Sequence, residues 1–179
     1  MNIRVGQKVA YPNHGVCRVE AIKNKQNGDD ESEEFYSLRV LSNNSSILVP
    51  KRKAASVGIR PVIKPTECEN LMKFLAEDFA NPASDWKARS REFSAKFQTG
   101  DIFAVADVLK KLTFLMQTKA LSFREQRMIE KAKFLVVSEL AIVCSQPECT
   151  TEEKVDKSLA CACEQHNLSS IKTVFATIH

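Results

Sequence analysis

The residues of this sequence best suited to chemistry are its six cysteines and three histidines, because thiolates and imidazoles serve as nucleophiles and metal ligands. Most of them gather near the C-terminus: Cys144, Cys149, Cys161, Cys163 and His166. Their Cys-x4-Cys and Cys-x-Cys spacings differ from the paired Cys-x2-Cys pattern of structural zinc sites. We therefore predict free thiols and no bound metal, and a zinc site is the alternative that the cluster leaves open.

A thiol nucleophile is the other chemistry that these residues could support. His14 precedes Cys17 by three residues, and a cysteine beside a histidine can be activated for attack. Cys17 falls in an expected strand, however, where it would face a core. The chain also lacks the glycine-rich loops that cradle nucleotide phosphates. We predict a protein that is not an enzyme and needs no cofactor, with a thiol- or metal-dependent enzyme as the alternative.

Cations form a stronger pattern in the middle of the chain. Residues 84–133 hold 11 of the 26 Lys and Arg residues but only 6 of the 22 Asp and Glu residues. Such an excess favours contact with a polyanion, although solvated helix faces would give the same composition. The candidate DNA-binding residues are Trp86, Lys87, Arg89, Arg91, Lys96, Arg124, Arg127 and Lys131. The last three are spaced by three and four residues and would share one helix face.

Trp86 is the single tryptophan, and it stands at an expected helix start among several of these cations. A lone tryptophan commonly anchors the packing between two helices. An exposed ring beside cations could instead wedge into a base step or stack on an unpaired base. The sequence leaves both roles open.

Two kinds of element must position these residues. Short apolar runs separated by Pro-, Gly- and Asn-rich turns predict five strands, at residues 8–11, 16–25, 34–41, 47–49 and 59–63. The pattern is typical of a small Tudor- or SH3-like barrel over residues 1–63. After a linker at 64–66, helical periodicity predicts an all-α bundle of about five helices over 67–165, followed by a mobile tail at 166–179. The fold class is α+β with two domains.

Helix starts can be predicted from capping residues. Thr66 and Ser122 each precede a glutamate by three residues, which is the capping-box pattern. Ser84 or Asp85 would cap the helix that carries the tryptophan. Thr150 would open a final, shorter helix.

Several segments resemble the CarD–CdnL family of bacterial transcription regulators, whose N-terminal domain is shared with transcription-repair coupling factor. Residues 6–16, GQKVAYPNHGV, are similar to the family's opening motif. Residues 99–109 and 121–132 are similar to two of its helices, and shorter stretches at 48–50, 57–62, 85–87 and 137–141 agree in order. The resemblance covers roughly residues 3–143.

The resemblance implies that the N-terminal domain binds the RNA polymerase β subunit through an exposed strand edge. The residues that it assigns to this contact are Lys25, Arg39, Leu48, Val49 and Pro50. It further implies that the helical domain binds promoter DNA at the upstream edge of the melted bubble, with Trp86 in the minor groove and cations on phosphates. Such contacts would stabilise the open complex without sequence-specific readout.

This sequence departs from the family at three of its basic positions, where Lys25, Leu48 and Gln126 stand. A Tudor-like adaptor whose helical domain binds another protein is the alternative function. The sequence has no apolar run long enough to span a bilayer and does not begin like a signal peptide. We expect a cytoplasmic, nucleoid-associated monomer that does not bind membranes.

Overall fold

A five-stranded antiparallel sheet opens the fold and five helices follow it, which confirms the predicted α+β class. The computed structural model describes residues 3–27 and 31–177. The strands are β1 (Lys8–Tyr11), β2 (Gly15–Asn27), β3 (Glu31–Val40), β4 (Ser46–Pro50) and β5 (Arg60–Pro61), in the spatial order β4-β3-β2-β1-β5. This is the predicted Tudor-like domain. Residues 28–30, within the turn expected between the second and third predicted strands, lie outside the described residues.

The sheet curls around a small core because its strands alternate inward and outward residues. Val9, Val19, Leu38 and Val49 are buried there together with Cys17. Burial raises the pKa of the Cys17 thiol to about 11. Cys17 is therefore a protonated core residue at neutral pH rather than an activated nucleophile.

The helices form a second core. They are α1 (Pro65–Ala76), α2 (Trp86–Thr99), α3 (Ile102–Thr118), α4 (Phe123–Cys144) and α5 (Glu148–Thr177). The third helix is central, because Val105, Leu109 and Leu112 are all buried against residues of its neighbours. A short 3-10 helix at Lys51–Lys53 follows β4.

Two predicted helix starts hold and two are wrong. Asp85 caps α2 by accepting from the Ala88 N–H at 2.8 Å, and Ser122 forms the predicted capping box with Glu125. Thr66 does not cap α1, because Pro65 already has the φ of a first helical residue and the Lys64 N–H donates to Glu67. The predicted linker at 64–66 thus loses two residues to the helix. Thr150 lies inside α5, which begins at Glu148.

The last helix is also longer than predicted. It continues past residue 165 to Thr177, so the predicted tail at 166–179 begins inside a helix. The reason is a buried stripe at Val155, Leu159, Ala162, Cys163 and His166, which recurs at helical spacing. Small residues and a histidine in this stripe conceal the pattern in the sequence.

The two cores meet across a polar clamp. The Arg60 guanidinium donates to both carboxylate oxygens of Glu139 at 2.6 and 2.8 Å, and its Nε donates to the Gly100 carbonyl at 2.7 Å. The Ile63 N–H donates to the same carboxylate at 3.0 Å. Glu139 is buried, so β5 and α4 are joined by a desolvated ion pair.

A glycine allows a second contact between the domains. Gly15, at the start of β2, has a φ of +81° and lies against the ring of Phe134 on α4. A Cβ at this position would stand 3.1 Å from that ring. Only glycine combines this backbone conformation with so close an approach.

None of the helices formed by residues 3–27 and 31–177 is both long and apolar enough to cross a membrane.

Candidate nucleic-acid interface

Trp86 is the first residue of α2, and the residue is 60 % exposed. The Asp85 cap fixes the helix start directly before it. The Lys87 ammonium lies 5.8 Å from the centre of the indole ring. Of the two roles that the sequence leaves open, the structure therefore favours an exposed ring beside a cation over a buried packing anchor.

Arg89 holds this helix start in place. Its guanidinium donates to the Ala83 and Ser84 carbonyls at 2.6 and 3.2 Å and pairs with Glu125 at 2.7 Å. Only 3 % of the residue is exposed. The Arg89 guanidinium is therefore not exposed to an external phosphate as predicted, because Lys87 and Arg89 are two residues apart and lie on opposite faces of α2.

Glu125 completes the link between the starts of α2 and α4. Its carboxylate accepts from the Ser122 N–H at 3.0 Å and the Ser122 hydroxyl at 2.7 Å, besides its pair with Arg89. Burial alone would raise the pKa of Glu125, but these donors outweigh it and lower the pKa to about 2. The carboxylate is ionised throughout the physiological range and keeps the two helix ends together.

Lys96 is also engaged inside the protein. Its ammonium pairs with Glu92 at 2.8 Å and with Asp107, and Lys111 contacts the same two carboxylates. Burial lowers the pKa of Lys96, but these acceptors outweigh that effect and raise it. Lys96 links α2 to α3 in this network. Its ammonium is therefore engaged by carboxylates of the protein, whereas the sequence predicted a phosphate ligand.

The remaining candidates share one face of α2 and α4. Lys87, Arg91, Arg124 and Arg127 are exposed, and Lys131 is half-buried with its ammonium 5.3 Å from the centre of the Phe97 ring. Within residues 3–27 and 31–177, none of these five cations forms an ion pair. Their charge is therefore available to an external anion.

Phe123 is a further functional candidate that was not predicted from the sequence. Phe123 is the first residue of α4 and is 72 % exposed. It follows the Ser122 cap as Trp86 follows the Asp85 cap, so each helix starts with an exposed aromatic ring. An aromatic residue directly after a capping residue was the signal that could have identified it.

A pocket of about 300 Å³ lies beneath the tryptophan. Trp86, Phe93 and Met128 supply its apolar walls, and Arg124 stands at its edge. The indole therefore forms part of the wall of a recess between α2 and α4.

Three of the five predicted polymerase-contact residues, Leu48, Val49 and Pro50, lie on β4, which is an edge strand of the sheet. Leu48 is 52 % exposed, and Pro50 is partly buried. Val49 belongs to the core, because residues alternate along the strand, so its prediction as a contact residue holds at most for its backbone. Arg39, on the adjacent β3, pairs with Glu20 at 2.8 Å. The side chain of Lys25 lies outside the described residues.

The members of the predicted cluster do not converge, and Cys144, at the end of α4, interacts instead with the Cys68 thiol of α1. Cys163 is buried, and Cys149 and Cys161 are exposed at other positions of α5. His166, the remaining member of the predicted cluster, bonds to Asp78 and Asn81. In the parts of the chain that the structure describes, no three His, Cys, Asp or Glu side chains are placed to hold a metal ion.

Comparison with known proteins agrees with this architecture. Residues 3–63 match the family model described as CarD-like/TRCF RID domain, and residues 70–156 match the one described as CarD, C-terminal domain. The chain is 29 % identical over 140 residues to the Bacillus subtilis (strain 168) protein named "Putative transcription factor YdeB". That alignment covers 78 % of this chain and 91 % of the relative.

Sheet, helices and matches together define a transcription regulator built from a Tudor-like domain and a helical domain. The chain belongs to the CarD/CdnL family, as the sequence motifs predict.

Proposed function

We propose that this protein binds the RNA polymerase β subunit through the β4 edge and promoter DNA through the exposed face of α2 and α4, and that it thereby stabilises the open promoter complex. The observation that carries the proposal is the exposed indole of Trp86, fixed at a capped helix start beside unpaired cations. Inserting such a ring into a base step costs a few kcal/mol per unstacked step. The cost is least where the duplex is already opening.

The polymerase contact explains how a weak DNA contact suffices. A domain held on polymerase meets the promoter at a high effective concentration. An edge strand with an exposed Leu48 can extend its sheet with a strand from a partner. Retention of this protein by the purified β subunit tests that contact, and its absence would contradict it.

The stabilisation follows from a difference in affinity between two states of the promoter. If the protein binds melted DNA more tightly than closed duplex, it shifts the melting equilibrium by that difference and no more. The cations contact phosphates, which carry no base identity. The expected effect therefore extends to promoters of different sequence.

The decisive experiment measures the lifetime of open complexes after a competitor challenge. Addition of the protein should lengthen the lifetime, and Trp86→Ala should return it most of the way to the value without protein. Because the indole is exposed, this substitution should leave the unfolding free energy within about 0.5 kcal/mol of the original.

Leu168→Ala is the matched control, since Leu168 is equally exposed at 60 % but lies on α5. It should keep the full effect on lifetime. An unaltered lifetime with Trp86→Ala would overturn the mechanism and favour a helical domain that binds another protein.

A further inference from the structure

A groove of about 720 Å³ runs between α2 and α4, beyond the tryptophan. We call it the α2–α4 groove; its principal lining residues are Phe97, Phe123, Arg124, Arg127, Lys131 and Phe134. Arg124 also lines the pocket beneath Trp86, so the groove begins where the proposed duplex contact ends. Asn13, in the turn between β1 and β2, closes it on the side of the sheet.

The lining residues of α4 form a regular row. Phe123, Arg127 and Lys131 are four residues apart, and Phe134 follows three residues later, so all four lie on one helix face. At a rise of 1.5 Å per residue the row is about 16 Å long. Four or five stacked nucleotides span roughly that length at 3.4 Å each.

The row combines aromatic surface with available charge. The Arg127 guanidinium lies 5.6 Å from the centre of the exposed Phe123 ring, and the Lys131 ammonium lies 5.3 Å from that of Phe97. Phe97 is buried, so Phe123 is the ring of this pair on which a base can stack, and Arg127 beside it can reach the phosphate of that nucleotide. Glu130 adds one carboxylate to the groove, which leaves a net positive charge.

This arrangement favours an unpaired strand over an intact duplex. Bases in a duplex already stack on one another, whereas an unpaired base gains from stacking on a protein ring, whatever its identity. We propose that the α2–α4 groove binds single-stranded DNA, with Phe123 as a stacking platform and with Arg124, Arg127 and Lys131 on the phosphates. The inference rests on the proposed function, in which the melted strands emerge beside Trp86.

The test uses the full chain and two labelled DNA probes in a fluorescence anisotropy titration at low salt. Both carry the same duplex with an extension of about five nucleotides, which matches the length of the row. One extension has its bases and the other is abasic, and each is made on either strand. The original protein should bind the base-bearing probe about five-fold or more tightly than the abasic one for at least one strand polarity.

Phe123→Ala should abolish this discrimination and leave binding to the abasic probe unchanged. Leu168→Ala should retain it. Arg127→Gln should weaken binding to both probes and lower the salt dependence, whereas Glu130→Gln should strengthen binding. Discrimination that persists in Phe123→Ala, or is absent from the original protein, would overturn the proposal. So would binding that does not respond to salt, because contacts between cations and phosphates weaken as salt rises.

The outcome is separable from that of the proposed function. If Trp86→Ala leaves the open-complex lifetime unchanged while Phe123→Ala removes base discrimination, the groove stands and the proposed mechanism fails. If the lifetime falls with Trp86→Ala but the probes are not distinguished, the groove proposal fails alone.

Discussion

At the scale of single residues, three basic side chains at alternate positions of α2 differ in their exposure to solvent. Lys87 and Arg91 reach solvent, whereas Arg89 between them is buried and paired with Glu125. Removing one partner of such a pair leaves the other charge buried and unsatisfied. Arg89 and Glu125 therefore fix the helix ends that carry the two exposed aromatic rings of the candidate interface.

Glu125→Gln should make the protein less stable at neutral pH and should remove an acid-sensitive contribution. The pKa of Glu125 is lowered from the usual 4.5 to about 2, so its stabilisation is complete above pH 4.5 and is lost as the pH falls toward 2. In urea titrations, the stability difference between the original protein and Glu125→Gln should shrink across that window.

A difference that stays constant from pH 6 to pH 2.5 would contradict this account of Glu125. Arg89→Gln provides the companion measurement. Because the two side chains form one pair, the double variant should lose less stability than the sum of the single losses.

Sequence reasoning identified Trp86 but not the direction of Arg89. A capping residue before Trp86 is readable in the sequence, since the cap needs only local contacts. The orientation of Arg89 depends on Glu125, which is 36 residues away along the chain. A contact at that separation is set by how two helices pack, and a single sequence does not reveal it.

At the scale of elements, α5 shows how a helix can be missed when its stripe is weak. Val155 and Leu159 are fully buried, but the stripe continues through Ala162 and Cys163 to His166. The His166 ring stacks on Phe79 at 4.3 Å, and its nitrogens bond to Asp78 and Asn81 at 2.7 and 2.8 Å. A polar residue thus occupies a core position because its partners come from the connection between α1 and α2.

Leu159→Ala should lower the free energy of unfolding by about 2–4 kcal/mol, because it leaves a cavity in the helical core. Denaturant unfolding measures this loss. Leu168→Ala, on the exposed side of the same helix, should change it by less than about 0.5 kcal/mol. Equal effects of the two substitutions would show that α5 does not pack as described.

The strands were more predictable than this helix. Each predicted strand overlaps one of β1 to β5, because turn residues such as those at 12–15 limit the strands on both sides. What the sequence could not supply is the order of the strands, which makes β4 an edge. The proposed polymerase contact depends on that order, because it requires β4 to be an edge strand.

At the scale of the whole molecule, the Arg60–Glu139 pair joins the sheet to the helical bundle. The Glu139 carboxylate accepts from the Arg60 guanidinium and the Ile63 N–H together. The family motifs include both positions, but nothing in them indicates that the two side chains meet. Their separation of 79 residues hides the contact from sequence reasoning.

Glu139→Gln should lower the free energy of unfolding by about 3 kcal/mol, because it leaves Arg60 without a counter-charge in a desolvated setting. Glu20→Gln is the matched control, since it breaks the more exposed pair with Arg39, which solvent screens, and its loss of stability should be much smaller. Thermal unfolding followed by circular dichroism compares them. Similar losses in the two variants would contradict a structural role for the clamp.

The clamp also has a geometric consequence. Since Arg60 and Glu139 lock the two halves, the distance from the β4 edge to the indole of Trp86 is set by the protein itself. Under the proposed function, the indole would then lie at a fixed distance from the polymerase contact. The ring would therefore reach the same base step at every promoter. Breaking the Arg60–Glu139 pair would make the position of the ring on the DNA variable before it weakened the polymerase contact or the DNA contact.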